Sequence, residues 1–540
     1  MYVCPNCTGN LKFDIPSQRL LCDYCEYSVD PYEFEKKQDA EEAPDPERDY
    51  EITMFICPQC GGRILSNDTT AATFCSYCGG ATILDSRISR EKRPDLIIPF
   101  TKTKEDCKDA YVKMMRKSLF VPSDLKKEEC ISRFRSIYMP YWVYTAEKDT
   151  QVAFDAIKRN NTENKKITQI YKATSNVIAK YKGLAFDASS SFPDSLSNAI
   201  APFDYRNTKL FSPSFLSGFY ADIPDVEARL YEDDVRDIVS EELCYDMETD
   251  PYCRGYELDM DLHRIMRPEK VESQMAMFPV WFMAYRYKNR VGYAIVNGQT
   301  GKAAGNIPAD KKKYLRASLL LAIPLFLIFN LFLTLSPAVL MLLTGMLALI
   351  FGIVSLRQKI NLIAKEDYVD DKGSGRYRVF GNTRAVVRKP RILRLDKMIL
   401  ATIPIVAGIG ICVFQTVMEA SGMEVRSETT EALFILVLII GFSTVVKPMR
   451  ARNPFGGEQY NVPLEARHFM SSVFKPGLAV LLMLILLLLP GVSDLVRYGG
   501  VIVAMLLMVW NAFDLIDSYN HLTTRPLPQF EKRGGEEDGR

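Results

Sequence analysis

Four Cys-x-x-Cys pairs within the first 78 residues constrain this chain more than any other feature. Cys4/Cys7 is followed by Cys22/Cys25, and Cys57/Cys60 by Cys75/Cys78, with 14 residues between the pairs of each unit. Two residues between cysteines let a tight turn bring both sulfurs to one tetrahedral metal, and a short hairpin returns the second turn. The spacing predicts two small Cys4 zinc ribbons, at 1–38 and 52–90, each closed around one structural Zn2+ by all four of its thiolates. A gap of 14 residues is slightly below the usual range of about 15–20, which predicts a compact ribbon. Gly61-Gly62 and Gly79-Gly80 follow the two pairs of the second unit. Glycine there lets backbone N–H groups turn toward the thiolates. The first unit has Thr8-Gly9 and Glu26-Tyr27 in those places.

Other uses of such cysteines fit less well. A thioredoxin-like pair needs a βαβ context and a single active motif, and structural disulfides need an oxidising compartment. No cleavable signal peptide precedes Cys4, and the topology below keeps the N-terminus in the cytosol. The acidic, proline-punctuated stretch 39–51 reads as a linker between the ribbons.

A net charge of +1 averages two unlike halves. Ala317–Ser355 is 39 residues without a charge, roughly twice the 20 or so that one transmembrane helix needs. Ser336-Pro337 near its centre predicts a helical hairpin. Met398–Val417 and Ala432–Val446 predict a second. Gly477–Pro490 and Gly499–Phe513 predict a third, whose first member either begins upstream near Phe469 or sits partly in the interface. The expectation is an all-α polytopic membrane domain of six helices over 314–517, with a polar tail at 518–540. Lys311, Lys312, Lys313 and Arg316 enter the first hairpin, and twelve Lys/Arg against five acids fall in loop 356–397. Lys447, Arg450, Arg452, Arg467 and Lys475 fall in loop 447–475, whereas Arg426 and Arg497 face the other side. This asymmetry predicts a multi-pass protein of the plasma (inner) membrane with both termini cytoplasmic. Loop 356–397 would also suit anionic lipid.

Between the ribbons and the apolar blocks, 95–310 reads as a β-rich α+β cytosolic domain. Thr103 opens a helix with Cys107, Ala110, Tyr111, Met114 and Ser118 at helical spacing. Ser136–Tyr144, Phe278–Tyr287 and Val291–Val296 read as strands, with turns at Lys288–Arg290 and Asn297-Gly298. Pro140-Tyr-Trp142 and Pro279-Val-Trp281 suggest an internal repeat, and 222–261 an acidic helical insert.

Several stretches occur in a recognisable order: the cysteine ribbons, Leu96-Ile-Ile-Pro-Phe100, Phe120-Val-Pro-Ser-Asp124, Tyr138-Met-Pro-Tyr-Trp142, Leu216-Ser-Gly-Phe-Tyr220, Phe278-Pro-Val-Trp281 and Asn297-Gly-Gln-Thr-Gly301. Over residues 1–313 the chain resembles a bacterial family of zinc-ribbon proteins labelled TFIIB-type or primosomal-helicase-like, many with a C-terminal membrane segment. The resemblance implies membrane anchoring and a place in an envelope-related membrane complex. It implies no enzymatic activity.

The residues agree on that last point. No Gly-x-x-x-x-Gly-Lys-Ser/Thr loop is present, and Gly298–Lys302 has the wrong spacing for phosphate. The three histidines, His263, His468 and His521, form no metal or nucleophile motif. Cys107, Cys130, Cys244, Cys253 and Cys412 are expected in packing roles. Residues 1–90 carry eight basic and fifteen acidic side chains, the wrong field for nucleic acid. Asn330, Gln415 and Asn511 are the polar residues inside the spans and Asp514 lies near an end, where ion-coupled transport usually needs buried charge. The expected function is a non-enzymatic, membrane-anchored zinc scaffold or adaptor for protein partners, in contact with membrane lipids. A membrane-tethered nucleic-acid-binding protein and a transporter subunit are the alternatives.

Overall fold

The computed structural model describes residues 2–38, 50–66, 75–79, 85–162, 165–258, 261–287, 290–332, 336–367, 466–489 and 491–526. The second hairpin expected at 398–446 lies outside them. So do most of the linker 39–51, the loops from 368 to 465, and the tail beyond 526.

The first cysteine unit is a three-stranded antiparallel sheet of β1 (Leu11–Asp14), β2 (Arg19–Cys22) and β3 (Ser28–Val29), closed by α1 (Pro31–Gln38). The second contains β4 (Tyr50–Ile56), β5 (Arg63–Ser66) and β6 (Asp85–Glu91). Next come β7 (Leu96–Ile97), α2 (Lys104–Lys117) and α3 (Glu128–Ile131). Thr103 caps α2 in a reciprocal capping box with Asp106, and Cys107, Tyr111 and Met115 form its buried stripe. Two long strands follow, β8 (Arg135–Thr162) and β9 (Lys165–Asp187). Then come α4 (Asp194–Ile200), β10 (Lys209–Leu210), β11 (Tyr220–Ala221), α5 (Glu232–Thr249), β12 (Glu257–Leu258), α6 (Leu262–Ile265), β13 (Lys270–Tyr287), β14 (Arg290–Asn297) and β15 (Ala303–Gly305).

The second unit is not a separate body. Its strands continue a 13-stranded sheet in the order β10-β7-β13-β8-β11-β5-β4-β6, with β14 and β15 beside β13. The centre of that sheet is the antiparallel β8–β13 pair. Pro140 and Pro279 each stand one residue past the paired Met139 and Phe278. The two Pro-x-Trp stretches are therefore related by a local two-fold axis. Each indole N–H ties down a loop: Trp142 donates to the Val226 carbonyl at 2.7 Å, Trp281 to that of Lys102 at 2.9 Å.

The dispersed sequence stretches converge on one ring. Phe100 stacks on Phe219 at 4.8 Å and meets Tyr138 and Trp281 edge-on. Gly298 lies against the same ring, where a Cβ would come within 2.6 Å of Phe100 carbons. Asn297 is fully buried and accepts from the Gln299 and Thr300 N–H groups while donating to the Ile200 carbonyl. The Asn-Gly-Gln-Thr-Gly stretch is an architectural clamp.

β8 and β9 are far longer than the apolar stretches indicated. They pair from Tyr141/Asp187 out to Thr162/Lys165, and beyond Glu147, the last residue paired with β13, they run on as an arm, to which β12 adds a short edge at Ala156 and Ile157. The arm's inner face, with Val152 and Phe154, packs on Val235, Val239 and Leu243 of α5, which is the helix of the acidic insert.

Four helices close the described chain: α7 (Lys311–Phe332), α8 (Pro337–Asp367), α9 (Ala466–Leu488) and α10 (Asp494–Thr523), then β16 (Arg525–Pro526). Among the described residues only two stretches, Pro337–Ser355 and Asp494–His521, are long and apolar enough to cross a membrane; Phe474–Leu487 is shorter. The expected polytopic domain of three hairpins is corrected accordingly. α9 starts upstream of Gly477 and runs through Pro476. α8 continues as helix to Asp367 where a loop was expected from 356. α8 packs with α9 and α10, and among the described side chains none of α7 enters their core. Small residues explain the choice: Ala348, Ala479 and Ala504 are fully buried, and Gly352 faces Pro476. Such residues let helix backbones approach closely.

Both ends of this helical region are fastened to the sheet. Asn520 of α10 hydrogen-bonds both the N–H and the carbonyl of Ala309 and the Tyr287 hydroxyl, and β16 pairs with β14. At the start of α7, Asp310 N–H donates to the Phe120 carbonyl, and Phe120 packs on Tyr314.

Candidate metal centres

All eight thiols of the four pairs fall into two groups, Cys4, Cys7, Cys22, Cys25 and Cys57, Cys60, Cys75, Cys78, with ligand atoms of each group within 4.8 Å of one another. Sγ–Sγ separations are 3.6 Å for Cys4–Cys25, 3.4 Å for Cys7–Cys22, 3.9 Å for Cys57–Cys78 and 3.7 Å for Cys60–Cys75. A disulfide is about 2.05 Å long, so these are not bridges. Four sulfurs about 2.3 Å from one tetrahedral ion lie about 3.8 Å apart. The donor sets therefore fit a thiophilic divalent metal.

The backbone reason is the same at all four pairs. The first cysteine's carbonyl accepts the N–H of the residue after the second: Thr8 to Cys4, Glu26 to Cys22, Gly61 to Cys57 and Gly79 to Cys75. That fifth residue is left-handed in every case, with φ of 59°, 58°, 72° and 63° respectively. Glycine makes this turn at little cost in the second unit. Thr8 and Glu26 make it with side chains attached, so the first unit reaches the same knuckle without glycine's help.

The electrostatics show why a cation belongs here. The Gly9 N–H favours the Cys7 thiolate, but hydrogen bonding with Cys25 and Cys22 and burial outweigh it and push Cys7 up to about 12. Cys25 is lowered to about 7, first by the Tyr27 N–H and then by Cys7. Cys75 is pushed up by Cys60 and Cys78 and by burial. Packed thiols cannot all ionise together. A divalent ion reverses that balance and releases their protons.

The two centres differ in surroundings. Tyr24 and Tyr77 occupy equivalent positions, the residue before the last cysteine. Tyr24 is 81% exposed, whereas Tyr77 is fully buried. Tyr24 lies across Gly9, where a Cβ would come within 2.6 Å of its ring. Tyr77 faces Phe282 of β13 and interacts with Asp222, a fully buried carboxylate that also accepts from Ser189 at 2.5 Å and Ser191 at 2.6 Å. Around the second centre, Arg286 donates to the Cys78 carbonyl and to Gln59. The first unit docks by its other end: the Gln18 amide donates to the Phe100 carbonyl and Ser217 to that of Leu11, while Phe13 packs on Phe215. The Cys-x-Tyr-Cys pattern was visible in the sequence, but its contrast in burial comes from Asp222, some 145 residues from Tyr77 in the chain.

Of the lone cysteines, Cys107, Cys130 and Cys244 are buried, and Cys253 is half-buried beside the α5 core. Cys412 lies outside the described residues. The chain is 26% identical over 316 residues to the uncharacterized protein YdjG of Bacillus subtilis (strain 168), a match spanning 58% of this chain and 91% of that protein. No family model matches the chain, and no solved structure matches it.

Proposed function

We propose that this protein is a membrane-anchored scaffold that holds two structural zinc ions and offers its first Cys4 centre to a protein partner. The single observation behind this reading is the contrast between equivalent tyrosines. Tyr77 is spent on the protein's own core, while Tyr24 stands in solvent on a folded knuckle. An exposed aromatic on a rigid, metal-pinned turn suits a docking anchor, since little conformational entropy is lost on binding. Zinc suits the four-thiolate sets, being redox-inert and tetrahedral. In this reading α8 and α10 cross the inner membrane and the further apolar blocks make the protein multi-pass, with both termini cytoplasmic. The scaffold role supposes binding without catalysis.

The test is affinity capture of the full-length protein from detergent extract, with wild type, Tyr24→Ala and Tyr77→Phe compared by quantitative mass spectrometry. A defined partner lost with Tyr24→Ala and kept with Tyr77→Phe supports docking at the first centre. Partners indifferent to Tyr24→Ala sink it. Salt-sensitive retention of DNA or RNA by Tyr24-intact protein would replace it with the nucleic-acid reading.

A further inference from the structure

Loop 118–122 joins α2 to the turn before α3 and lies at the base of α7. It is held there by three contacts: Asp310 N–H to the Phe120 carbonyl at 2.7 Å, Lys313 Nζ to the Val121 carbonyl at 2.7 Å, and the Phe120 ring against Tyr314 at 5.2 Å. Val121 is buried and pins the loop from inside. Yet Leu119, between these anchors and α2, is 81% exposed. A large apolar side chain on a fixed loop has a reason to be bare where the surroundings are not water.

Basic side chains predominate nearby. Arg116 and Lys117 end α2 and are exposed, as are Lys312 and Arg316 in the first turns of α7. Of the acids close by, Asp124 pairs with Lys127, Glu128 with Lys108, and Asp517 with Lys311. Asp310 accepts the Lys312 N–H, leaving Glu129 as an exposed acid on α3. Beyond Arg316 the α7 surface is apolar and open, with Leu320 78% exposed.

We propose that loop 118–122 is a second membrane contact, in which Leu119 enters the headgroup layer of the bilayer while Arg116, Lys117, Lys312 and Arg316 meet anionic phospholipid. The proposal rests on the membrane reading of the C-terminal helices. Its occupant follows from charge complementarity and from continuity with α7. An exposed apolar side chain accompanied by exposed cations is the pattern of interfacial anchoring. The contact would hold the sheet at a fixed angle to the bilayer, since α7 and α10 are already fastened to it.

Full-length protein carrying a benzophenone amino acid in place of Leu119, Leu320 or Ile178 is placed in nanodiscs of phosphatidylcholine with or without phosphatidylglycerol. Ile178 lies on the outer face of the arm and is 79% exposed. After irradiation, lipid adducts are read by mass spectrometry. The expected result is adducts at 119 and 320, none at 178, and a several-fold gain at 119 when phosphatidylglycerol is present. Arg116→Gln with Lys117→Gln should abolish that gain. Adducts at 320 without adducts at 119 overturn the loop contact while leaving the membrane reading intact. Adducts at neither position overturn the membrane reading itself. Equal yields at 119 in both lipids overturn the anionic part.

Discussion

Asp222 shows what a single residue does for the second metal centre. It is fully buried, and burial raises its carboxyl pKa against the opposing hydrogen bonds of Ser189, Ser191, Tyr77 and the Ile223 N–H. A raised folded-state pKa means that the fold binds this proton more tightly than the unfolded chain does. Its contribution to stability is complete below the unfolded carboxylate range and is lost as pH rises through the folded pKa. Asp222→Asn should therefore flatten the dependence of stability on pH between the acid range and neutrality, which denaturant midpoints at several pH values would reveal. An unchanged slope would place the titration elsewhere. Gly298 is a second residue with a defined limit. An added methyl would press within 2.6 Å of the Phe100 ring and 2.9 Å of Pro279, and neither ring can retreat in a packed core. Gly298→Ala should cost about 1–3 kcal/mol by overpacking, measured as a lowered unfolding midpoint.

At the scale of elements, local pattern and tertiary choice separate cleanly. The four knuckles and the Thr103 start of α2 were legible because their chemistry is local: thiol spacing, a capping box, a helical stripe. The Asn297-Gly298 turn was legible too, but not its role as a clamp on the Ile200 carbonyl, because that partner is remote in sequence. The arm beyond Tyr144 is hard to read from sequence because Asp149, Gln151, Asp155 and Arg159 take the positions that alternate with Val152, Phe154 and Ala156. That is a half-buried strand's alternation, diluted by a solvent face. The helical hairpins were drawn from length and apolarity, which cannot say which helices touch. Small residues decide that. Ala348→Leu, in the α8 interface with α9 and α10, should destabilise the bundle by about 1–3 kcal/mol, seen as earlier thermal aggregation in detergent. Ala322→Leu on exposed α7 should leave it unchanged. Equal effects would mean that α7 belongs to the same packing.

The whole molecule has a direction, and the metal centres sit differently along it. β13 runs from Tyr287, where α10 is fastened, to Lys270, which pairs with Glu147 at the root of the arm. At about 3.3 Å per residue that is about 55 Å of strand, with about 50 Å of arm beyond it. The second centre lies at the helix-bearing end, against Ala284 and Arg286 of β13. All four of its thiols are buried, and they share a core with Ile137, Phe278 and Val291. In the first centre Cys7 and Cys25 remain half-exposed, with solvent on the Tyr24 side. A chelator can reach an exposed thiolate directly, but it reaches a buried one only through local opening of the sheet. A metal held in both centres should therefore leave in two steps, one fast and one slow. The ligands must be thiolates, so both steps should quicken as pH falls. Cys25→Ser should abolish only the fast step and leave near-UV circular dichroism close to wild type. Cys75→Ser should remove the slow step and broaden proteolysis across β13 and β14, since the cysteines of that centre share a core with the hairpin and Arg286 holds the Cys78 carbonyl. A single release phase, or equal protease sensitivity in the two variants, would mean that the centres carry equal structural weight.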